Sequence, residues 1–493
     1  IATVRSRYRS AMNRGPMAGR WWSKPDGHTG ENAAVYVKGA SVLQMLHVML
    51  GEKAYTQSIQ AYVQKHAHQL VETDDLRRAF EEVTGQHLQW FFDQWVHLPG
   101  SPTVSVSPSW KEGVLTVTLK QEVDDSGDNP FFRLPIDLEI GTESNIIERR
   151  VWMDEPQIKF QVDLEAPPLW VATDPEAGVL ASFENTQSQD MWVAQLQSQS
   201  PNARFEAIHQ LGEAKAQDAS VNALISLVQS EQEDIEYRLA AINALGSLST
   251  TSANELLGDI LTSSESARIR KKAANALRGG DGAGNSRQSL SGALREESNP
   301  HVRSALLYAL ARHDSSAARS HASRLLTRKA SYMDPEKETA ARVLGKHGKP
   351  RDLGVLLANV ETSKHRGILH ASAWAASHLV RRQDEGTARD AAQRKVARKL
   401  EPLLQSLDQR TRETAISVLG LMGDNQSAAI LEAYARSEEV ESTAKSAKSA
   451  AQRIRKRDAL EPSEEVEVEN RLEELERRLK ELEEDAQEAT KRH

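Results

Sequence analysis

Cysteine is absent from all 493 residues, which removes disulfides, thiolate metal ligands and thiol nucleophiles together. It does not fix a compartment. Long apolar runs are missing as well. The best, Ala40 to Leu50, is interrupted by Gln44 and His47 and falls short of the roughly 18–20 residues of a membrane span. Nor is positive charge in surplus: Lys and Arg number 62 against 70 Asp and Glu, a formal net charge of −8. A dedicated nucleic-acid surface would want a basic patch or stripe. The expectation is therefore no nucleic-acid partner and no membrane segment in this chain.

The length is too great for one ordinary core, so roughly two to four domains are expected. Residues 1–102 read as helical. Tyr55, Ile59, Tyr62, Val63 and His66 follow the 3.6 period after Gly51, and Leu76, Ala79, Phe80 and Val83 make a second stripe. Thr73 is the expected cap of that second helix, with Asp74 and Asp75 in its first turn and Gly85 as its stop. Leu88, Phe91, Phe92 and Trp95 form a third stripe before Pro99-Gly100.

Over 103–186 the period changes to two. Val104/Val106, Leu115/Val117/Leu119, Leu134/Ile136/Leu138/Ile140 and Ile158/Phe160/Val162/Leu164 alternate as half-buried strands do. Gly113, Ser126-Gly127-Asp128-Asn129-Pro130 and Gly141 supply the turns. The expectation is a small antiparallel β-sandwich whose strands end near Trp170 to Pro175.

From 188 to 457 the chain is helical and repetitive. Leu211, Leu245, Leu277, Leu310, Leu344, Leu379 and Leu419 are spaced 34, 32, 33, 34, 35 and 40 residues apart. Such a period marks an α-solenoid of stacked helix pairs, each burying apolar surface against the next. The pattern resembles short HEAT repeats. Gly212, Gly246, Gly345 and Gly420 are expected as helix C-terminal caps. Arg204, Arg238, Arg270, Arg303 and Arg412 recur at one place in the repeat and read as a ladder of ion pairs or caps. A solenoid surface also offers room for an extended peptide or a protein partner. In 458–493, Val468, Leu472, Leu475, Leu479 and Leu482 alternate spacings of four and three. That seam suits either a short coiled coil or a single helix packed back on the solenoid.

The most specific signal is near the start. Val35-Tyr36-Val37-Lys38-Gly39-Ala40 is followed by Thr73-x-x-Leu76, by Phe91-Phe92-Asp93-Gln94-Trp95-Val96 and by Pro99-Gly100-Ser101-Pro102. Together these resemble the second half of the thermolysin-like catalytic domain in gluzincin aminopeptidases, the aminopeptidase N and leukotriene hydrolase family. The resemblance is specific over about 35–102 and weaker to about 185. It implies a zinc-dependent enzyme that removes N-terminal amino acids from peptides. Peptide hydrolysis of that kind needs a carboxylate base and a donor facing the developing oxyanion. A phenol suits the donor role because it donates without carrying charge at neutral pH.

By the resemblance, Tyr36 is that donor and the catalytic residue of this chain. Lys38 and Gly39 are its structural companions, with Gly39 allowing close helix approach. Asp93 and Trp95 serve packing and a local hydrogen bond. Alone, a tyrosine at a helix start would read as a core residue.

The zinc-binding His-Glu-x-x-His motif is not found, and His28-Thr29-Gly30-Glu31 is no substitute for it. His66 and His68 are two apart on a helix and do not face the same way. The metal ligands are expected upstream of Ile1, so zinc belongs to the intact protein, none is bound by this chain, and the chain alone is expected to be inactive. The competing reading is a non-catalytic HEAT-repeat scaffold or interaction protein with a degenerate peptidase domain. A third is a chance resemblance in the first hundred residues of a repeat protein.

Overall fold

The computed structural model describes residues 38–98, 100–123, 130–264, 266–277, 285–329, 334–363, 365–384 and 386–458. Tyr36 and the leucine seam from Val468 to Leu482 lie outside the described residues. The described chain is mostly helical, with one small β region, and forms two compact units parted between Leu257 and Gly258.

The first unit opens with α1 (Gly39–Leu50), α2 (Glu52–Lys65), α3 (Thr73–Thr84) and α4 (Gln89–Phe92), the last continuing as a wide π turn over Asp93–His97. Among the described residues seven strands follow: β1 (Thr103–Lys111), β2 (Val114–Gln121), β3 (Leu134–Gly141), β4 (Ile146–Met153), β5 (Gln157–Asp163), β6 (Trp170–Thr173) and β7 (Ser182–Asn185). They form two sheets, ordered β5-β2-β1-β7 and β4-β3-β6. Alternation brings Val104, Val106, Leu115, Val117 and Leu119 of one sheet against Leu134, Ile136, Leu138 and Ile140 of the other. The same continuous core takes in Val42, Met45 and Leu46 of α1, Phe80 of α3, and Phe91, Phe92 and Trp95.

Several local expectations change. Every strand pair is antiparallel except β1 with β7, which run parallel from Thr103↔Ser182 to Val106↔Asn185. The strands thus extend past Pro175, because β7 returns to pair beside β1. The cap of α3 is Glu72, not Thr73: Asp75 accepts from the Glu72 amide at 2.9 Å in a reciprocal capping box. Gly85 does end that helix, in the left-handed conformation. Val63 is 58% exposed, and the buried residue of α2 is Ser58, whose hydroxyl donates to the Ala54 carbonyl at 2.8 Å.

After the sandwich come α5 (Gln189–Gln195), then α6 (Pro201–Glu213) and α7 (Asp218–Gln229), α8 (Ile235–Leu248) and α9 (Thr251–Ser263), α10 (Ala267–Leu277) and α11 (Asn285–Glu296). They are followed by α12 (Pro300–His313) and α13 (Ser315–Thr327), α14 (Pro335–His347) and α15 (Leu353–Thr362), α16 (Arg366–Arg381) and α17 (Thr387–Leu400), α18 (Gln409–Met422) and α19 (Asn425–Ser437), and α20 (Glu441–Asp458). The repeat leucines lie in the first helix of each successive pair from α6 to α18, and each is at most 2% exposed. The spacing of 40 before Leu419 accommodates an extra 3₁₀ turn, Glu401–Gln405, after α17.

The glycines beside these leucines are not caps. They sit inside their helices, with no left-handed backbone at any of them. A Cβ on Gly212 would lie 2.8 Å from the Ala244 Cβ, on Gly345 2.9 Å from the Ala375 Cα, and on Gly420 2.9 Å from the Ala450 Cβ. Each therefore meets an alanine of the next repeat, and the absent side chain is what lets neighbouring helices touch.

Candidate functional site

The motif that carries Tyr36 enters the described structure at Lys38, immediately before α1. Val42, Met45 and Leu46 turn α1 onto the shared core and hold it. Lys38 is 2% exposed, and its ammonium donates to the Leu98 carbonyl at 3.0 Å and the Gly100 carbonyl at 3.4 Å. Two stretches sixty residues apart in sequence are thereby joined: Lys38 is tied to Leu98 and Gly100. Burial pushes the Lys38 ammonium down to about 8, since removing it from water penalises the charged form. Gly39 is the first residue of α1, directly after Lys38.

Beneath this corner lies the wide turn. Trp95 is fully buried and packs on Phe132 with ring centroids 5.0 Å apart. Asp93 accepts from the Gln89 side chain at 2.7 Å, a local bond. Gln94 and Gln121, which the sequence did not single out, hold the next two residues of one strand approach. The Gln94 amide donates to the Arg133 carbonyl at 3.0 Å and accepts from its N–H at 2.8 Å. Gln121 does the same with Phe132, at 2.8 and 2.6 Å. Two side-chain amides thus satisfy backbone that no strand partner reaches. The Arg133 guanidinium is held over the Trp90 and Trp152 rings, 5.0 and 4.6 Å from their centroids. A buried amide paired with a backbone group leaves no periodic signal in sequence.

The described residues do not supply a metal centre. Among them no group of three His, Cys, Asp or Glu side chains is placed to hold an ion. His66 caps the end of α2 beside Tyr62, and His68 stands in a left-handed turn.

The recurrent arginines bond to neighbouring helices and loops. Arg204 meets Glu233 at 2.6 Å, Arg270 meets Glu297 at 2.6 Å, and Arg303 meets Glu336. Arg238 donates to the Val228 carbonyl at 2.9 Å, and Arg412 reaches the Tyr434 hydroxyl at 3.0 Å. Each is spent on internal structure, so none is left as a ligand group.

Residues 28–95 match the Peptidase family M1 domain. Over that stretch the chain is similar to family M1. That match is followed by one to HEAT repeats over 189–278. Over 170 residues the chain is 25% identical to a puromycin-sensitive aminopeptidase of Caenorhabditis elegans, covering 34% of this chain and 18% of the relative. An aminopeptidase N of Lactococcus lactis subsp. lactis is 36% identical over 75 residues, 15% of this chain and 9% of the relative. A leucyl aminopeptidase of Saccharolobus solfataricus is 30% identical over 134 residues, 27% of this chain and 16% of the relative. Among solved structures, aminopeptidase A of Legionella pneumophila in complex with aspartic acid aligns with TM-score 0.41 and 12% identity, over 86% of this chain and 57% of that one. The aligned parts span less than a fifth of each of these three curated relatives. Together the matches fit a part of an M1 aminopeptidase carrying HEAT-like repeats, and they support a peptidase at the level of the family.

Proposed function

We propose that this chain is part of a zinc-dependent aminopeptidase that removes N-terminal residues from peptides, with Tyr36 as the donor to the oxyanion. The M1 match over 28–95 carries this reading. The Lys38 bonds to Leu98 and Gly100 support it, because they hold the residues just after Tyr36 against the corner where the M1-like sequence ends. A donor helps only if it is held where charge develops, and a buried ammonium clamped to two carbonyls is a rigid support two residues away. Among the described residues no side chains are placed to hold the metal, so the test is made on the whole protein.

The test is hydrolysis of a leucyl anilide and of its N-acetylated counterpart by the whole protein. The proposal expects turnover of the free amine and none of the acetylated substrate. Equal cleavage of both contradicts an aminopeptidase. Cleavage of neither by the metal-loaded protein favours the scaffold reading, which the repeat array supports independently.

A further inference from the structure

The second unit contains a groove of about 1070 Å³ lined from α12, α14, α16 and α18. Its walls are two ridges of side chains four residues apart. Arg366, His370, Trp374, His378 and Arg382 run the length of α16 and its end, and Glu338, Arg342 and Lys346 run along α14. Its floor is shallow backbone, because Gly345 lies against Ala375 and no side chain fills the space between the ridges.

The lining is strongly one-signed. Arg342, Lys346, Arg366, Arg382 and Arg410 face the groove, with Glu338 the lone carboxylate in its lining. Glu338 is already engaged: it lies 3.7 Å from Arg342 and its carboxylate rests over Gly367. Arg366 pairs with Asp408 at 2.8 Å, outside the lining. Lys346, Arg382 and Arg410 have no carboxylate partner among the described residues. This concentration sits on a chain whose net charge is −8. Beside it stand two partly exposed aromatics, Trp374 at 36% and Tyr308 at 39%.

We infer that this groove binds an acidic, extended protein segment: several carboxylates meeting the arginines and Lys346, and an apolar side chain laid against Trp374. The volume lies at the top of the range of small-molecule pockets, roughly 300–1,000 Å³, and suits several peptide residues. A nucleic acid fits less well. Its charge is repeated along its whole length, whereas the cations here are confined to three helices of a net acidic chain. This inference does not depend on the aminopeptidase reading.

The probe is a fluorescein-labelled polyglutamate peptide with one central leucine, titrated into the full chain and followed by anisotropy. A polylysine counterpart and a labelled oligouridylate of the same length serve as comparisons. The expected result is saturable binding of the acidic peptide, weakening with added salt, and tighter than either comparison. The double variant K346E/R410E, at two exposed positions, is expected to lower that affinity about tenfold or more, and Trp374→Ala to lower it several-fold. Lys346→Arg retains it, and far-UV circular dichroism reports an unchanged fold in all three. Undiminished binding by K346E/R410E overturns the proposal. So does tighter binding of the oligouridylate, which assigns the groove to nucleic acid.

Discussion

The Lys38 ammonium donates to the Leu98 carbonyl at 3.0 Å, across sixty residues of sequence. That bond ties the residue just before α1 to the end of the wide turn that follows α4. Lys38→Met keeps the aliphatic stem and removes the donor, leaving two carbonyls short of a partner. A loss of about 1–3 kcal/mol in urea unfolding is expected. No measurable change would mean that the corner is held by packing alone.

The same lysine gives a pH dependence with a definite sign. Its folded-state value is about 8, below the ordinary 10.5 of an exposed lysine. Below about 8 it is charged in both states, and folding bears the full cost of burying the charge. Between about 8 and 10.5 the unfolded chain holds more protons, so this group makes stability rise with pH. Lys38→Met should flatten that rise. The check is urea unfolding of both proteins from pH 7 to pH 10, and parallel curves would contradict the assignment.

Glu139 on β3 is 2% exposed and accepts from the Trp170 indole at 3.0 Å, the Ser198 hydroxyl at 2.6 Å and the Ser200 hydroxyl. It joins the sandwich to the loop before α6. Glu139→Ala strands two buried donors and a partly buried one and is expected to cost about 3–5 kcal/mol, read as a fall in the midpoint of urea unfolding. Glu139→Gln keeps acceptor capacity and should cost less. A larger loss for Gln than for Ala would show that the donors find other partners.

Gly345→Ala tests the close approach of repeats. Its added carbon would stand 2.9 Å from the Ala375 Cα and 3.0 Å from its Cβ, and backbone cannot swing aside. A cost of about 1–3 kcal/mol is expected from overpacking, despite alanine's better helix propensity. A stabilised variant in thermal melts would instead show that the two helices are free to part.

The parts of the fold that were legible in sequence are those written in period. The leucine spacing marked the repeats because each pair must bury its face on the next, and Val104 to Leu164 alternated because both sheets have one inner side. The glycines are not legible for a physical reason: a glycine near a helix end suits a cap and a close approach equally, and only the neighbour Ala375 or Ala450 decides. β4 escaped because Glu148, Arg149 and Arg150 carry it on an exposed edge without alternation. The parallel return of β7 is a long-range pairing that no local pattern encodes. Of the candidate site, the stretch around Lys38 was legible only as a resemblance, and the Gln94 and Gln121 clamps were not legible. The cationic groove was written at spacing four on α16 but needed α14 beside it to become a groove.

The most direct measurement is the steady-state kinetics of Tyr36→Phe in the whole protein, with leucyl anilide as substrate. If Tyr36 donates to the oxyanion, kcat falls about 10²–10³-fold while KM changes little, because the interaction is made in the transition state. Turnover within a few-fold of the unsubstituted protein would contradict the account.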